Sequence, residues 1–83
     1  MYIEFDPAKD EANIAKHGVS LSRAAELDVL ADVADARFAG DRRRIYGLID
    51  GLPFCLAYTL RGGTIRAINL RRAHLKEFRR HVR

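Results

Sequence analysis

Hydrophobic and polar residues follow a helical period in the first part of the chain. Residues 1–5 alternate weakly and predict a short first strand. Asp6 and Pro7 then predict a helix start, because an aspartate accepts hydrogen bonds from free backbone amides and a proline at the first helical position loses none. Gly18 is a typical helix end. The small apolar residues of this helix form one stripe: Ala8, Ala12 and Ala15.

The period changes to two after a second helix, which is predicted over residues 21–27 with Ser20 as its cap. Residues 33–38 alternate between apolar and charged side chains and predict a half-buried strand, which Gly40 and Asp41 end. Three more strands, joined by turns at Asp50-Gly51 and Gly62-Gly63, are predicted over residues 44–49, 54–60 and 65–70. Short links between consecutive strands favour an antiparallel meander.

The last segment predicts a helix from about Arg72, with Leu75, Phe78 and Val82 as its buried stripe. The predicted fold class is therefore α+β. An antiparallel meander carries two N-terminal helices and one C-terminal helix, in a single domain over residues 1–83.

Length and composition restrict the classes of protein to which this chain could belong. The chain has 83 residues, 48% hydrophobic and 31% charged, which is typical of a globular domain rather than of a disordered or membrane protein. The N-terminus lacks the basic and apolar regions of a secretory signal, so we expect a cytoplasmic protein without a membrane segment. Cys55, the single cysteine, excludes an internal disulfide and a cysteine-based zinc site. A chain of this size has room for a shallow site only, and we expect no cofactor.

The charge is distributed unevenly along the chain. The formal net charge is +4, but residues 1–35 carry −5 and residues 36–83 carry +9. Twelve of the fifteen basic residues are arginine, which favours bidentate contacts with phosphate or carboxylate groups. This asymmetry favours a polyanionic partner, either nucleic acid or an acidic protein, over a solvated basic face that binds nothing.

The Gly62-Gly63 turn predicts a strand register. With those two residues as the loop, Arg61 faces Thr64 and Thr59 faces Arg66. One face of the sheet then carries Arg61, Thr59, Arg66, Ala57 and Ile68, and the other carries Tyr58, Leu60, Ile65 and Asn69. Two guanidinium groups at one end of a sheet form a candidate phosphate clamp, and a solvated strand end is the alternative.

The last predicted helix has two polar flanks. The basic flank consists of Arg72, Lys76, Arg79 and Arg83, and it suits a phosphate backbone, although any exposed helix of a basic protein has such a flank. The other flank consists of His74, Glu77 and His81. Its spacing is similar to that of metal ligands, but no fourth ligand is in view, and a surface ion pair is the better interpretation. We expect no metal site.

His17 lies at the predicted end of the first helix, directly before Gly18. The helix dipole favours the cationic form of a histidine at this position. The residue is a candidate general acid or base, and a simple helix cap is the alternative.

Several kinds of catalytic motif are missing from the sequence. There is no glycine-rich phosphate loop, no serine or cysteine nucleophile motif, and no carboxylate cluster for Mg²⁺ in the basic half. A nuclease built from these residues would therefore work without a metal, on RNA, whose 2′-hydroxyl is an internal nucleophile. Such an enzyme needs a base for that hydroxyl, cations for the phosphorane and an acid for the leaving oxygen.

Two stretches of the chain together form a recognisable pattern. The first runs from Phe5-Asp6-Pro7-Ala8-Lys9 through Asn13 and Lys16-His17-Gly18-Val19-Ser20 to Ala24-Ala25. The second comprises Tyr58-Thr59-x-Arg61, Arg66-x-Ile68-x-x-Arg71-Arg72-Ala73 and Glu77, with Arg43-x-x-x-Gly47 between the two stretches. In this order and spacing they resemble the BrnT family of toxins. The chain departs from the family pattern at Asn69 and Leu70, usually serine and alanine, at His81, usually tyrosine, and at Leu60, where an acid is common.

The resemblance implies a RelE-like α+β fold and an endoribonuclease activity that arrests translation. It also implies a co-encoded BrnA-type antitoxin that neutralises the toxin, and a toxin homodimer within the toxin–antitoxin complex. DNA would then be contacted only indirectly, through the antitoxin.

The resemblance supports roles for Lys16, His17, Arg61, Arg66 and Arg71, and the residue pattern of the last helix adds the remaining expected site residues. The expected catalytic residues are Lys16, His17, Arg61, Arg71 and His81, and the expected RNA-binding residues are Arg66, Arg72, Lys76 and Arg79. Arg61 and Arg71 would stabilise the scissile phosphate with support from Arg66, His17 or His81 would move protons, and Lys16 would contact phosphate. Tyr58 is a weaker candidate, because the derived register places it on the opposite face. The alternatives to an enzyme are a nucleic-acid-binding module and a protein-interaction subunit that uses its arginines only on an acidic partner.

Overall fold

The computed structural model describes residues 1–37 and 41–83. In chain order its elements are β1 (Ile3–Glu4), α1 (Pro7–His17), a 3₁₀ helix (Leu21–Glu26), β2 (Asp28–Ala34), β3 (Arg43–Ile49), β4 (Leu52–Arg61), β5 (Thr64–Arg72) and α2 (Leu75–His81). The α+β class predicted from the sequence is confirmed. No helix in the two described ranges is long and apolar enough to cross a membrane.

The five strands form one sheet in the order β1-β5-β4-β3-β2. Strands β2 to β5 are the predicted antiparallel meander. Strand β1 pairs in parallel with β5, Ile3 opposite Ile65, so the sheet is mixed and the prediction of a purely antiparallel sheet is wrong. This pair joins the two ends of the chain, and a prediction from neighbouring strands alone has no means of finding it.

Helix α1 begins and ends where the sequence predicts. The side chain of Asp6 accepts a hydrogen bond from the amide of Ala8 at 2.8 Å, and Gly18, with φ of 72°, donates its N–H to the carbonyl of Ile14. The predicted apolar stripe is wrong, because Ala8, Ala12 and Ala15 are all exposed.

The inner face of α1 is polar instead. The side chain of Asn13 donates to the carbonyls of Val19 and Leu70, at 2.9 and 2.8 Å, and accepts from the amide of Leu70 at 3.1 Å. One turn earlier, Asp10 accepts from the hydroxyl of Ser20 and the amide of Leu21. Polar side chains are needed here because α1 lies against β5, whose Leu70 backbone N–H and C=O would otherwise be buried without partners.

The second predicted helix is a 3₁₀ helix rather than an α-helix. Ser20 caps it as expected, accepting from the amide of Ser22. Leu21, Ala24 and Leu27 are all buried, and this spacing of three residues matches the three residues per turn of a 3₁₀ helix.

Strand β2 occupies residues 28–34, so the prediction of a strand over residues 33–38 is wrong. The predicted end, from Phe38 to Gly40, lies outside the described residues. Two features explain why the sequence pattern did not predict β2 correctly. It lies at the edge of the sheet, where one side of the strand is not paired, and a bulge between Val29 and Ala31 breaks its alternation.

Both two-residue turns are present, and both have positive φ angles at Asp50-Gly51 and Gly62-Gly63. The predicted register of Arg61 with Thr64 and of Thr59 with Arg66 is confirmed. Further along, Tyr58 pairs with Ala67 but Ala57 pairs with Asn69, so Ile68 is an extra residue. This bulge places Asn69 on the face of Ala57, and its predicted position on the opposite face is wrong.

The sheet has a hydrophobic cluster on each face. On one face Leu21, Ala24 and Leu27 pack against residues of β3, β4 and β5, among them Ile45, Leu56 and Leu70. The other cluster is smaller and lies under α2. It consists of Tyr46, Cys55 and Ala73, with Phe78 and Val82 partly buried against them.

Helix α2 starts later than predicted, because β5 continues through Arg72 and His74 is the residue before the helix. Its buried stripe is shorter as well. Phe78 and Val82 contact the sheet, but Leu75 is 57% exposed, so its predicted burial is wrong.

Candidate functional site

The side chains with the most interactions converge on the sheet face under α2. The strand register places Tyr46 of β3 opposite Cys55 of β4, and Cys55 opposite Arg71 of β5. Arg44 lies two residues before Tyr46 and therefore shares its face. Glu77 comes to the same place from α2.

One carboxylate joins these residues. Glu77 accepts two hydrogen bonds from Arg71, both 3.0 Å, one from Arg44 at 3.1 Å, and one from the hydroxyl of Tyr46 at 2.8 Å. The charged side chains are largely removed from water, with exposed fractions of 16% for Arg44, 19% for Glu77 and 25% for Arg71. We call these four residues the Glu77 cluster.

The cluster fixes the charge state of its members. The hydrogen bonds from Arg71, helped by Tyr46 and by the charge of Arg44, lower the pKa of Glu77 to about 2 in spite of its burial. Burial, and next the hydrogen bond to Glu77, raise the pKa of Tyr46 above its ordinary value. At neutral pH the carboxyl is therefore ionised and the phenol remains a hydrogen-bond donor.

His81 lies beside the cluster. Its ring stacks on the fully buried ring of Tyr46, with centroids 4.8 Å apart and planes 11° apart, while Phe78 meets Tyr46 edge-on. Tyr46 therefore connects the expected catalytic residue His81 to Glu77 and, through it, to Arg71.

His17 approaches the cluster from the end of α1. Its Nε2 atom lies 3.1 Å from the side-chain nitrogen of Asn69, which donates to the ring in this arrangement. Burial, and then the charges of Lys16 and Arg71, lower the pKa of His17. Burial and these two charges act against the expected preference for the cationic form. His17 also does not cap the helix, since Gly18 does.

A second ion pair lies next to the cluster. Asp35 is buried and accepts hydrogen bonds from Arg37, and its Oδ2 atom is 3.9 Å from the Nε of Arg44. The bonds from Arg37 lower the pKa of Asp35. Asp35 and Glu77, the two carboxylates near Arg44, therefore both accept hydrogen bonds from arginines.

The structure places Lys16 and His17 within electrostatic range of Arg71 and connects His81 to Arg71 through Tyr46 and Glu77, but it does not bring Arg61 to them. Arg61 and Arg71 share a face of the sheet, yet Arg61 lies six residues along β4 from Cys55, the partner of Arg71. At the rise of a β-strand this separates the two backbone positions by about 20 Å. The expectation that Arg61 and Arg71 clamp one phosphate is therefore wrong.

Arg66 lies at the same end of the sheet as Arg61. It pairs with Thr59 and is half-buried, whereas Arg61 is exposed at the hairpin turn. Neither arginine makes an ion pair or a side-chain hydrogen bond with the described part of the chain.

The expected basic flank of the last helix is not continuous. Arg72 belongs to β5 and pairs with Phe54, on the sheet face opposite Arg71, where its guanidinium lies 5.8 Å from the Phe54 ring centroid. Lys76 and Arg79 are exposed on α2. Tyr58 is buried on the opposite face, as the register predicted, and its hydroxyl donates to Asp32.

Sequence reasoning missed Arg44, Tyr46, Asn69 and the central position of Glu77. A signal for two of them was present, because the Asp50-Gly51 turn sets Ile49 opposite Leu52 and so places Tyr46 opposite Cys55. Arg44 and Tyr46 would then have appeared on the face of Cys55. The interpretation of Glu77 as part of a surface ion pair was wrong about its burial.

Comparisons with known proteins agree with this fold. A comparison with curated protein sequences gave no match. The fold is similar to that of the Brucella abortus ribonuclease toxin BrnT, known from a crystal structure at 1.1 Å, with a TM-score of 0.64 and 23% sequence identity. The alignment covers 89% of this chain and 97% of that one, and at this identity it shows the fold alone.

The sequence itself matches a family model over residues 5–77, which takes in α1, the whole sheet from β2 to β5 and Glu77. The model describes the ribonuclease toxin BrnT of type II toxin–antitoxin systems. The chain therefore belongs to the BrnT family of ribonuclease toxins of type II toxin–antitoxin systems.

Proposed function

We propose that this toxin is a metal-independent endoribonuclease that cuts RNA through the 2′-hydroxyl and so inhibits translation. The observation that carries the proposal is the Glu77 cluster, in which Arg44 and Arg71 lie side by side with a neutral histidine, His17, at the edge. In this reaction the 2′-oxygen attacks the adjacent phosphorus and the bond to the 5′-oxygen breaks. The products are a 2′,3′-cyclic phosphate and a 5′-hydroxyl.

The residues near the cluster match the three needs of this reaction. Arg71 and Arg44 stabilise the charge of the phosphorane, because guanidinium groups removed from water bind phosphate oxygens strongly. His17 accepts the proton of the 2′-hydroxyl at Nε2, where the substrate replaces the N–H of Asn69, and its lowered pKa keeps the ring neutral at neutral pH. His81 protonates the leaving 5′-oxygen, and Lys16 contacts a phosphate next to His17.

The hydrogen bonds of the two carboxylates in the site support catalysis without a metal. Glu77 and Asp35, the carboxylates beside Arg44, both accept hydrogen bonds from arginines. A divalent ion would have to displace those guanidiniums from oxygen atoms that they already occupy.

The remaining basic residues supply RNA binding. Arg66 and Arg61 contact phosphates about 14 and about 20 Å from Arg71 on the same sheet face, and Lys76 and Arg79 contact phosphates beside α2. Arg72, on the opposite face, lies outside this path.

The same basic face suits a protein inhibitor. A BrnA-type antitoxin that presents acidic side chains to Arg61, Arg66 and α2 would exclude RNA by competition. We further propose that the toxin is a homodimer within the toxin–antitoxin complex and that DNA is bound only through the antitoxin.

The test is a cleavage assay on total RNA in excess EDTA with wild-type protein, Arg71→Ala and Arg23→Ala. Arg23 is a matched control, because it is an arginine held by Glu26 and Asp50 away from the cluster. We expect wild-type and Arg23→Ala to cleave and the folded Arg71→Ala protein not to cleave. Salt-dependent RNA binding without cleavage, with or without translating ribosomes, would instead show a nucleic-acid-binding module.

A further inference from the structure

Two like charges are held together at the centre of the site. Arg44 comes from β3 and Arg71 from β5, two strands that lie on either side of β4 and are therefore about 10 Å apart. Their guanidiniums nevertheless meet at one carboxylate, within 3.1 Å of the same Oε2 atom. Arginines do not lose their charge in proteins, so this arrangement needs a fixed anion between them.

We propose that Glu77 is a positioning residue: its carboxylate holds Arg44 and Arg71 in the arrangement that receives the scissile phosphate, and it exchanges no proton with RNA. This inference rests on the proposed ribonuclease function. It assigns to Glu77 the alignment of the two guanidiniums rather than a chemical step.

Some N–H groups of Arg44 and Arg71 make no hydrogen bond to the described residues and are available to a phosphate. Arg71 donates from Nη1 and Nη2 to Glu77 and from Nη1 to the carbonyl of Arg72, which leaves its Nε–H and one Nη2–H. Arg44 donates from Nη1 to Glu77, and its Nε is buried 3.9 Å from Asp35, so its Nη2 is the group left for a phosphate in the described ranges. The three charged side chains together carry a net charge of +1, which matches the single negative charge of a phosphodiester. As the phosphorane gains negative charge, both arginines are already in place.

The surroundings of Glu77 favour a fixed anion over one that RNA displaces. The Tyr46 hydroxyl donates to the same Oε2 from the buried side, at 2.8 Å. Phe78, the next residue of α2, is partly buried on the sheet and keeps the carboxylate in place. RNA would have to break four hydrogen bonds to remove Glu77, whereas binding to the Nη2 of Arg44 and the Nε of Arg71 breaks no hydrogen bond to the described residues.

The test compares Glu77→Gln with Glu11→Gln, which removes the same charge on the exposed side of α1. The glutamine keeps the length of the side chain but replaces one acceptor oxygen with an amide that cannot accept from an arginine. We expect Glu77→Gln to lower the single-turnover cleavage rate at saturating RNA by about 10- to 100-fold. Its affinity for a 2′-O-methyl RNA should stay within about threefold of wild type or increase, because the net charge rises by one. Glu11→Gln should match wild type in rate.

A second variant keeps the proposal testable if Glu77→Gln does not fold. Glu77→Asp preserves the charge but withdraws the carboxylate by one methylene, so that it no longer reaches both arginines, and we expect at least about a fivefold loss of rate. An unchanged or faster rate in either folded variant would overturn the proposal. So would a loss of RNA affinity as large as the loss of rate.

Nuclear magnetic resonance separates this inference from the proposed function. In the wild-type protein the Nε–H signals of Arg44 and Arg71 should be resolved, and in Glu77→Gln they should broaden or merge with those of exposed arginines. Signals that stay unchanged would overturn the positioning role even if cleavage is lost. If the wild-type protein cleaves no RNA, the proposed function fails, and the spectra still decide whether Glu77 orders the two arginines.

Discussion

At the scale of single residues, the site depends on charges that are nearly withdrawn from water. Arg71, Tyr46 and Arg44 replace the water that Glu77 loses and keep its pKa low in spite of burial. A buried ion pair of this kind contributes less to stability than its geometry suggests, but removing one member leaves the others unpaired and costly. Its presence therefore fits a functional arrangement better than a stabilising one.

Acid should weaken the fold through Glu77. Because its pKa is about 2 in the folded protein and near 4.5 when exposed, its contribution is complete above about pH 4.5 and is lost as the pH falls toward 2. Between pH 6 and pH 3 this loss amounts to about 2 kcal/mol. Urea unfolding at the two pH values should show that decrease in wild type and in Glu11→Gln, and a smaller one in Glu77→Gln. Equal decreases in all three proteins would refute this account of Glu77.

The pH dependence of cleavage tests His17. If His17 is the base, the single-turnover rate should rise with pH through a pKa below 6.5, because only the neutral ring accepts a proton. The charge of Lys16 helps to lower that pKa, so Lys16→Gln should move the rising limb to higher pH. Lys9→Gln, at an exposed position near the start of α1, should leave the limb in place. If the rising limb of the pH–rate profile stays at the same pH in Lys16→Gln, His17 is excluded as the base.

Residue-level prediction from sequence succeeded where a backbone rule applied and failed where two distant side chains met. Asp6, Gly18 and the Gly62-Gly63 turn follow from local conformational preferences, and all three behave as predicted. The partnership of Arg44 with Glu77 spans 33 positions and depends on how α2 lies over the sheet. No local pattern contains that information.

At the scale of elements, α1 is joined to the sheet by hydrogen bonds rather than by apolar packing. A hydrophobic stripe predicts the inner face of a helix only when that face meets apolar side chains. Here the partner is the backbone of Leu70 in β5, so Asn13 lies inside and the alanines lie outside. The buried face of α1 therefore could not be predicted from its apolar residues. The fold class could be predicted, because it follows from the order of helices and strands and not from which face of α1 is buried.

Removing the Asn13 side chain should therefore destabilise the protein strongly. Asn13→Ala loses three hydrogen bonds and leaves the N–H and C=O of Leu70 buried without partners, which we expect to cost about 2 to 4 kcal/mol. Glu11→Ala, two residues away on the exposed side of the same helix, should change the free energy of unfolding by less than about 0.5 kcal/mol. Urea denaturation of both variants measures the difference. Similar midpoints for the two variants would contradict the role given to Asn13.

At the scale of the whole molecule, two groups of arginines differ in whether a carboxylate holds them. Arg23, Arg37, Arg43, Arg44 and Arg71 form ion pairs with carboxylates. Arg61 and Arg66 form none with the described residues and lie at the hairpin end of the face that carries Arg71. The sequence predicted an excess of positive charge in the second half of the chain, but the three-dimensional arrangement decides which of those charges are available to a polyanion.

The distance between the two groups predicts a dependence on RNA length. With Arg66 about 14 Å and Arg61 about 20 Å from Arg71, Arg61→Ala/Arg66→Ala should raise KM for a 12-nucleotide RNA by about tenfold and leave kcat unchanged. A dinucleotide, which cannot span that distance, should be cleaved equally well by the variant and by wild type. Arg23→Ala serves as the control for loss of a cation elsewhere. A fall in kcat on the dinucleotide would place Arg61 or Arg66 at the scissile phosphate and contradict this arrangement.

The most direct test of the central claim is the chemistry of the cut ends, measured by mass spectrometry on an RNA oligonucleotide and its 2′-O-methyl counterpart in EDTA. The proposed site predicts a 5′-hydroxyl and a 2′,3′-cyclic phosphate from RNA, and no cleavage of the 2′-O-methyl strand or by Arg71→Ala. A 5′-phosphate on the products, or cleavage of the 2′-O-methyl strand, would show that the 2′-hydroxyl is not the nucleophile and would contradict the account.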